Sequence, residues 1–193
     1  MVYQSAVPPT HRQQSLDDVF EVSVLSHLRD VKDPLRAAFA ARSLPPQSRI
    51  RIVHAGQALG FQWEERARTE ERMNARYRWL GERSHDDAMQ LLARSRLMIL
   101  SSTMEGGASA IAESVACRVP VLCSDIPGNV GMLGPNYPGY FRVKDTTQLA
   151  ALLGRAETDP KFLASLQESL EGIRSRFTPE QERESWACVL EEL

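Results

Sequence analysis

Only three cysteines occur among 193 residues, and Cys117, Cys123 and Cys188 show neither C-x-x-C nor His/Cys ligand spacing. A disulfide scaffold and a structural zinc site are thereby excluded, and so sparse and odd a count fits reduced thiols acting as small hydrophobes. No apolar run approaches the roughly 18–20 residues that cross a bilayer. The polar, proline-containing N-terminus lacks the apolar core of a signal peptide. These absences lead us to expect a cytoplasmic domain. Excess positive charge is missing too: at a net charge of −2 there is no basic field for general nucleic-acid binding. Neither G-x-x-x-x-G-K-[ST] nor G-x-G-x-x-G occurs, so ATPase and NAD-dehydrogenase mechanisms lack their phosphate-binding parts. No H-x-x-x-H pattern or acidic cluster marks a metal site, and neither a metal nor a cofactor is expected. Internal repeats and low-complexity tracts are absent as well.

What is present is an ordinary globular composition, 42% apolar and 25% charged, long enough to bury one sizeable core. Residues 1–18 carry Pro8-Pro9 and little periodicity and read as a linker or disordered arm; residues 19–193 form the domain. From there the pattern alternates. Strands are expected at 19–25, 49–54, 77–80, 97–101, 118–125 and 140–143. Helices are expected at 34–42, 63–73, 85–94, 108–117, 146–157, 159–176 and 179–193, with a Pro/Gly-rich connection over 127–139. Alternating strands and helices imply an α/β fold with a doubly wound, parallel, Rossmann-like sheet.

The chemistry concentrates between two of these strands. The apolar run Leu97-Met98-Ile99-Leu100 leads into Ser101-Ser102-Thr103-Met104-Glu105-Gly106-Gly107-Ala108, and a small-residue helix follows. A Gly-Gly pair lets backbone N–H groups approach a ligand that a Cβ would block, and the helix N-terminus favours a phosphate or diphosphate. Glu105 and Glu113 flank that cradle eight positions apart. Carboxylates are poor partners for an anionic diphosphate but good acceptors for sugar hydroxyls, so the unit suits a nucleotide-sugar. On spacing alone the same residues also read as a tight turn followed by a solvated helix face. Strand, loop, helix and strand complete a βαβ unit, whose ligands bind outside the carboxyl ends of the strands.

Arg29 and Lys32, in the first βα loop, open at the same sheet edge and could converge on the diphosphate, or form a solvated basic loop. Glu113 can accept from the vicinal ribose hydroxyls and Glu105 from the transferred sugar. The hydroxyls of Ser101, Ser102 and Thr103 suit either phosphate contact or turn capping. Gly81 suits a tight turn, and Trp79 a core position. His27 and His54 stand at strand ends, where a lone histidine is more often structural than catalytic, and His11 and His85 receive no role.

The Glu-x7-Glu pair within "EGGASAIAESVACRVPVLCSDIPG" resembles the donor-binding signature of retaining GT-B glycosyltransferases, in their C-terminal half. "YRWLGERSHDDAMQLLARSRLMILSS" and "VLSHLRDVKDPL" extend that similarity to most of the chain. The resemblance implies UDP-sugar binding, with Glu105, Glu113 and Lys32 at the donor, and the reading of the residues adds Gly106, Gly107, Ala108, Arg29 and Ser102. Catalytic stabilisation is expected from Lys32, Arg29 and Glu105, and the resemblance implies an acceptor site in an N-terminal domain that this chain is expected to lack, residues 1–18 being the hinge. Two positions depart from the pattern. His27 stands where the family usually has arginine, and Gly131 where it commonly has Glu or Gln. "HLRDVKDP", "IVHAGQAL", "MEGGAS" and "YPGYFRVKDTTQLAALLGRAETDP" further resemble the selenosugar synthase family of selenoneine biosynthesis. That narrower resemblance implies UDP-N-acetylglucosamine as donor and selenophosphate as acceptor. Half of a sugar-nucleotide 2-epimerase and a non-catalytic UDP-sugar-binding remnant are the rival readings.

Overall fold

Leu97–Leu100 buries all four of its side chains, as an uninterrupted apolar run must when both faces of a sheet are covered. It forms β4 of the computed structural model, which describes residues 2–10 and 18–191. The other strands are β1 (Phe20–Leu25), β2 (Ile50–Ala55), β3 (Tyr77–Trp79), β5 (Val121–Ser124) and β6 (Tyr140–Phe141). They lie in the order β3-β2-β1-β4-β5-β6, every neighbouring pair parallel. The expected doubly wound, Rossmann-like sheet is therefore what the chain builds. Strand order reverses between β1 and β4, and this is where such a sheet opens a crevice at its carboxyl edge.

Helices α1 (Arg36–Arg42), α2 (Phe61–Met73), α3 (His85–Arg94) and α4 (Ser109–Cys117) connect the first five strands. Helices α5 (Pro127–Leu133), α6 (Thr146–Thr158), α7 (Pro160–Glu171) and α8 (Pro179–Glu191) follow. Ile111 of α4 is fully buried with Leu97, Met98 and Leu122 in one continuous core, each such side chain contributing about 1.5–3 kcal/mol of burial. Small residues shape one flank: α1 buries Ala37, Ala38, Ala40 and Ala41, which lets its backbone lie close to α6.

Several boundaries shift by one or two residues from the sequence reading, among them β6, which ends at Phe141, and α2, which starts at Phe61; four differences have a clear local reason. α1 starts at Arg36 and not at Pro34, because residues 30–32 form a 3-10 turn that closes on Asp33 at φ 43°. β5 starts at Val121, because Arg118 takes the left-handed cap of α4, its N–H reaching the Ser114 and Val115 carbonyls. The stretch 127–139 is not all connection: Pro127 at the first turn starts α5, which runs until Gly134. The single helix expected at 159–176 ends at Glu171, where Gly172 caps it, and a 3-10 turn over 174–177 follows. The last residues expected in α8, 192 and 193, lie outside the described residues.

The segment read as a hinge, 1–18, falls partly outside the described residues, at 1 and 11–17. Its described portion, 2–10, has no regular structure but is docked. The Tyr3 ring meets Phe177 edge-on at 5.3 Å, and the Ser5 N–H donates to the Glu182 carboxylate at 2.8 Å. Among the described residues no helix is long and apolar enough to cross a membrane.

Candidate functional site

A cleft of ≈ 410 Å³ opens at the carboxyl edge of the sheet, within the size range of ligand sites. Its walls are Leu25, Ser26 and His27 at the end of β1, Ala55, Gly56 and Gln57 at the end of β2, and Ser109, Ala110 and Glu113 of α4. Arg29 and Lys32 enter from the β1–α1 loop, and Glu82, Arg83 and His85 from the β3–α3 connection. The ends of β1 and β2 meet closely enough that only glycine fits: a Cβ on Gly56 would lie 1.8 Å from the Ser26 carbonyl oxygen. Trp79, buried as expected, fixes this wall by donating its indole N–H to the Gly56 carbonyl at 2.9 Å.

Of the residues singled out from sequence, Arg29, Lys32 and Glu113 line this one cleft, beside the first turn of α4. No side chain caps α4, whose N-cap is Ala108, so its first backbone N–H groups are available to an anion. Glu105 joins through Lys32: the ammonium donates to Glu105 Oε1 at 2.5 Å, with both side chains partly buried. Ser102 is fully buried, and its hydroxyl donates to the same Oε1 at 2.5 Å. In this arrangement Ser102 holds the carboxylate. Ser101 and Thr103 likewise turn inward. Ser101 Oγ donates to the Asp33 carbonyl at 2.9 Å and Thr103 Oγ1 to the Val31 carbonyl at 3.2 Å. These bonds tie the loop of Lys32 to the loop of Glu105. Gly106 and Gly107 are exposed, and a Cβ on either would meet nothing within 4 Å. The chain's own packing requires glycine at neither.

Glu113 is half-buried, and burial pushes its carboxyl above the ordinary glutamate value, while the positive charge of His85 pulls the other way. Bringing donors to that oxygen pair would offset the lost hydration. His54, by contrast, is fully buried. Burial lowers its pKa to about 4, a hydrogen bond to the Ser26 backbone opposing the shift. It is a neutral structural residue. His27 stays exposed on the rim, its Nδ1 accepting from the Gln57 N–H at 3.2 Å. Gly131 lies in α5 and gives its carbonyl to Tyr3 at 3.2 Å.

Sequence reasoning missed Glu82, Arg83 and His85. The argument that brought Lys32 to this edge applies equally to the β3–α3 connection, which also leaves a strand at its carboxyl end. His85 was reachable by that rule, since Ser84 caps α3 with its hydroxyl on the Asp87 N–H at 3.1 Å and so fixes the helix start at the cleft. Among the described residues no group of His, Cys, Asp and Glu is arranged to hold a metal ion.

Residues 9–171 match the family Glycosyl transferases group 1. Among solved structures, Anabaena Alr3699/HepE in complex with UDP-glucose superposes with a TM-score of 0.80 at 23% identity, over 91% of this chain and 50% of that one. The pneumococcal O-GlcNAc transferase GtfA in complex with UDP and GlcNAc gives 0.75 at 19% identity, over 99% and 38%. The trehalose 6-phosphate synthase of Burkholderia multivorans gives 0.73 at 18%, over 91% and 42%. At these identities the likeness is one of fold, and this chain spans half or less of each of these structures. With a family match over most of its length, and a six-stranded parallel GT-B half domain beneath it, the protein belongs to the group 1 glycosyl transferases.

Proposed function

We propose that the chain is the donor-binding half of an enzyme that transfers a sugar from a UDP-sugar. The observation that carries this reading is convergence: Arg29, Lys32, Glu113 and the uncapped start of α4 meet at one cleft. In the proposal the diphosphate lies against the α4 N-terminus, Arg29 and Lys32. Glu113 accepts from the ribose hydroxyls. Glu105, with the backbone of Gly106, Gly107 and Ala108, receives the transferred sugar. The choice of uridine draws on structurally similar chains that hold UDP-glucose, or UDP and GlcNAc.

In the finer form of the proposal the donor is UDP-N-acetylglucosamine and the acceptor is selenophosphate, held by a further domain outside this chain, with residues 1–18 as the hinge. The bond between sugar C1 and the UDP oxygen breaks, UDP leaves with the electron pair, and selenium bonds to C1. This chain's part is positioning and stabilisation of the departing charge by Lys32, Arg29 and the α4 dipole. Support for the finer form is the set of short strings, among them "HLRDVKDP" and "MEGGAS", that resemble selenosugar synthases.

A calorimetric panel of UDP, UDP-N-acetylglucosamine, UDP-glucose and GDP-mannose tests the reading. UDP and the UDP-sugars are expected to bind, and GDP-mannose is not; a chain that prefers GDP-mannose or binds none of them overturns it. The finer form is tested by UDP release that depends on selenophosphate in a protein carrying both halves. Release that sugar acceptors support and selenophosphate does not discards it.

A further inference from the structure

We infer that Asn129, Ser124 and Ser102 form a buried positioning relay that fixes which oxygen of Glu105 faces the transferred sugar. The inference rests on the donor-site reading above. All three side chains are fully buried. Asn129 Nδ2 donates to the Ser124 carbonyl at 2.8 Å and approaches Ser124 Oγ at 3.5 Å. Ser124 Oγ donates in turn to the Ser102 carbonyl, and Ser102 Oγ to Glu105 Oε1 at 2.5 Å. The relay starts in α5, crosses the end of β5, and ends on the loop after β4. It links segments that are far apart in sequence.

Its effect on Glu105 is directional. Oε1 accepts from both Ser102 and Lys32, each at 2.5 Å, whereas Oε2 has no hydrogen-bond partner among the described residues. An ionised carboxylate offers about four lone-pair sites. Anchoring one oxygen therefore leaves the other preset as an acceptor for a hydroxyl. Backbone packing backs this up. Gly128 of α5 abuts the same loop, and a Cβ there would fall 2.1 Å from the Glu105 carbonyl oxygen. α5 thus sets the height of the Glu105 loop through backbone contact, and the rotation of its carboxylate through the relay. Neither Ser124 nor Gly128 lines the cleft, so both act through Glu105 as positioning residues.

The experiment compares UDP-N-acetylglucosamine with UDP by calorimetry on wild type, Ser124→Ala, Asn129→Leu, Glu105→Ala and the Ser124→Ala/Glu105→Ala double variant. Each protein is first checked for cooperative thermal unfolding. Ser124→Ala is expected to weaken the UDP-sugar about three- to tenfold, the scale of one buried hydrogen bond, and to leave UDP within about twofold. Asn129→Leu, which removes the relay's first donor and adds no backbone clash, should act in the same sense and decides the matter if Ser124→Ala does not fold. On the Glu105→Ala background Ser124→Ala should add nothing, since its effect passes through that carboxylate. Equal losses for both ligands, no loss, or additivity with Glu105→Ala overturn the relay while leaving the donor reading intact. A wild-type chain that binds neither ligand overturns the donor reading and the relay together, and the wild-type measurement alone identifies that outcome.

Discussion

Two polar clusters sit on the carboxyl edge of the same sheet, and they differ in what remains open. In the first, His54 Nε2 lies 2.9 Å from the Ser26 carbonyl oxygen and Nδ1 lies 3.1 Å from the Tyr77 hydroxyl. A carbonyl only accepts, so the ring carries its single proton on Nε2 and takes the Tyr77 hydroxyl on Nδ1. The tyrosine is buried as well, and burial, reinforced by Glu70 and Glu71, pushes its phenol far above its ordinary value. Every polar atom of that ring is satisfied inside the protein. In the second cluster Lys32, Glu105 and Glu113 are only partly buried, and Glu105 Oε2 keeps unused acceptor sites. Position at the ligand edge is common to both clusters. Burial with full internal pairing makes one a structural clasp, and partial exposure with spare hydrogen-bonding capacity makes the other a candidate binding site.

Removing the clasp gives the largest expected effect. His54→Ala deletes a fully buried ring and leaves the Tyr77 hydroxyl and the Ser26 carbonyl without their partner, which should destabilise the fold by about 3 kcal/mol or more in urea unfolding. UDP affinity of the folded fraction should stay at the wild-type value. A loss of affinity at wild-type stability would break the comparison by making His54 a ligand residue.

Acid should act through the same ring. Its folded pKa of about 4 lies below the ordinary histidine value of 6.5, so the unfolded chain binds the proton more tightly. The contribution is fully present above pH 6.5 and is lost as pH falls toward about 4, amounting to about 3 kcal/mol. Unfolding free energy measured from pH 7 to 4 should fall accordingly, and His54→Gln should flatten that slope. A slope unchanged in the variant would assign acid sensitivity elsewhere.

Much of this architecture is legible from sequence, for physical reasons. Leu97–Leu100 and Val121–Ser124 announce buried parallel strands by their unbroken apolar runs, and the Glu105–Glu113 spacing announces the loop and helix between them. Other features depend on tertiary context and are not legible. Pro127, Gly128 and Gly131 read as turn chemistry, yet packing of Asn129, Met132 and Leu133 holds them in α5. The pairing of Lys32 with Glu105 joins residues 73 apart; sequence gave each a separate ligand partner and no hint of the other. The inward turn of Ser102 is set by a loop rotamer that no periodicity encodes.

The open cluster yields the next effect. Glu113→Ala should lower affinity for UDP by about 1–3 kcal/mol, the range for hydrogen bonds to a charged group. It should leave stability at neutral pH unchanged or slightly raised, because burial disfavours the ion it removes. Titration calorimetry alongside urea unfolding checks both halves. A destabilised variant with normal affinity would move Glu113 into the structural class with His54.

Lys32→Ala should cost less, about 1 kcal/mol at low salt, and should weaken UDP more than uridine, because the proposed donor site sets the ammonium against the diphosphate. The difference should shrink as salt rises, since the side chain is partly exposed and its field is screened. If uridine binding falls equally, Lys32 serves the loop through its bond to Glu105 and not the phosphates.

The smallest effect separates the two clusters by the property that responds to protons, fold stability for His54 and ligand affinity for Glu113. In the proposed donor site ribose hydroxyls would donate to the charged form of Glu113, so ligand binding should lower the carboxyl that burial had raised. A proton is then released on binding, and affinity rises with pH as the solution passes through the free-state value of Glu113. His85 works against burial, its positive charge holding that value down; His85→Ala should therefore move the rise to higher pH. Uridine is the right probe, because the terminal phosphate of UDP titrates near pH 6 and would mask the signal. Calorimetry of uridine binding from pH 5 to 8, repeated in buffers of different ionisation enthalpy, should show affinity increasing with pH together with proton release. Glu113→Gln should abolish both. A profile that falls with pH, or one that Glu113→Gln leaves unchanged, would mean that the carboxylate does not receive the ribose. The open cluster would then be, like the closed one, a device for holding strands in place.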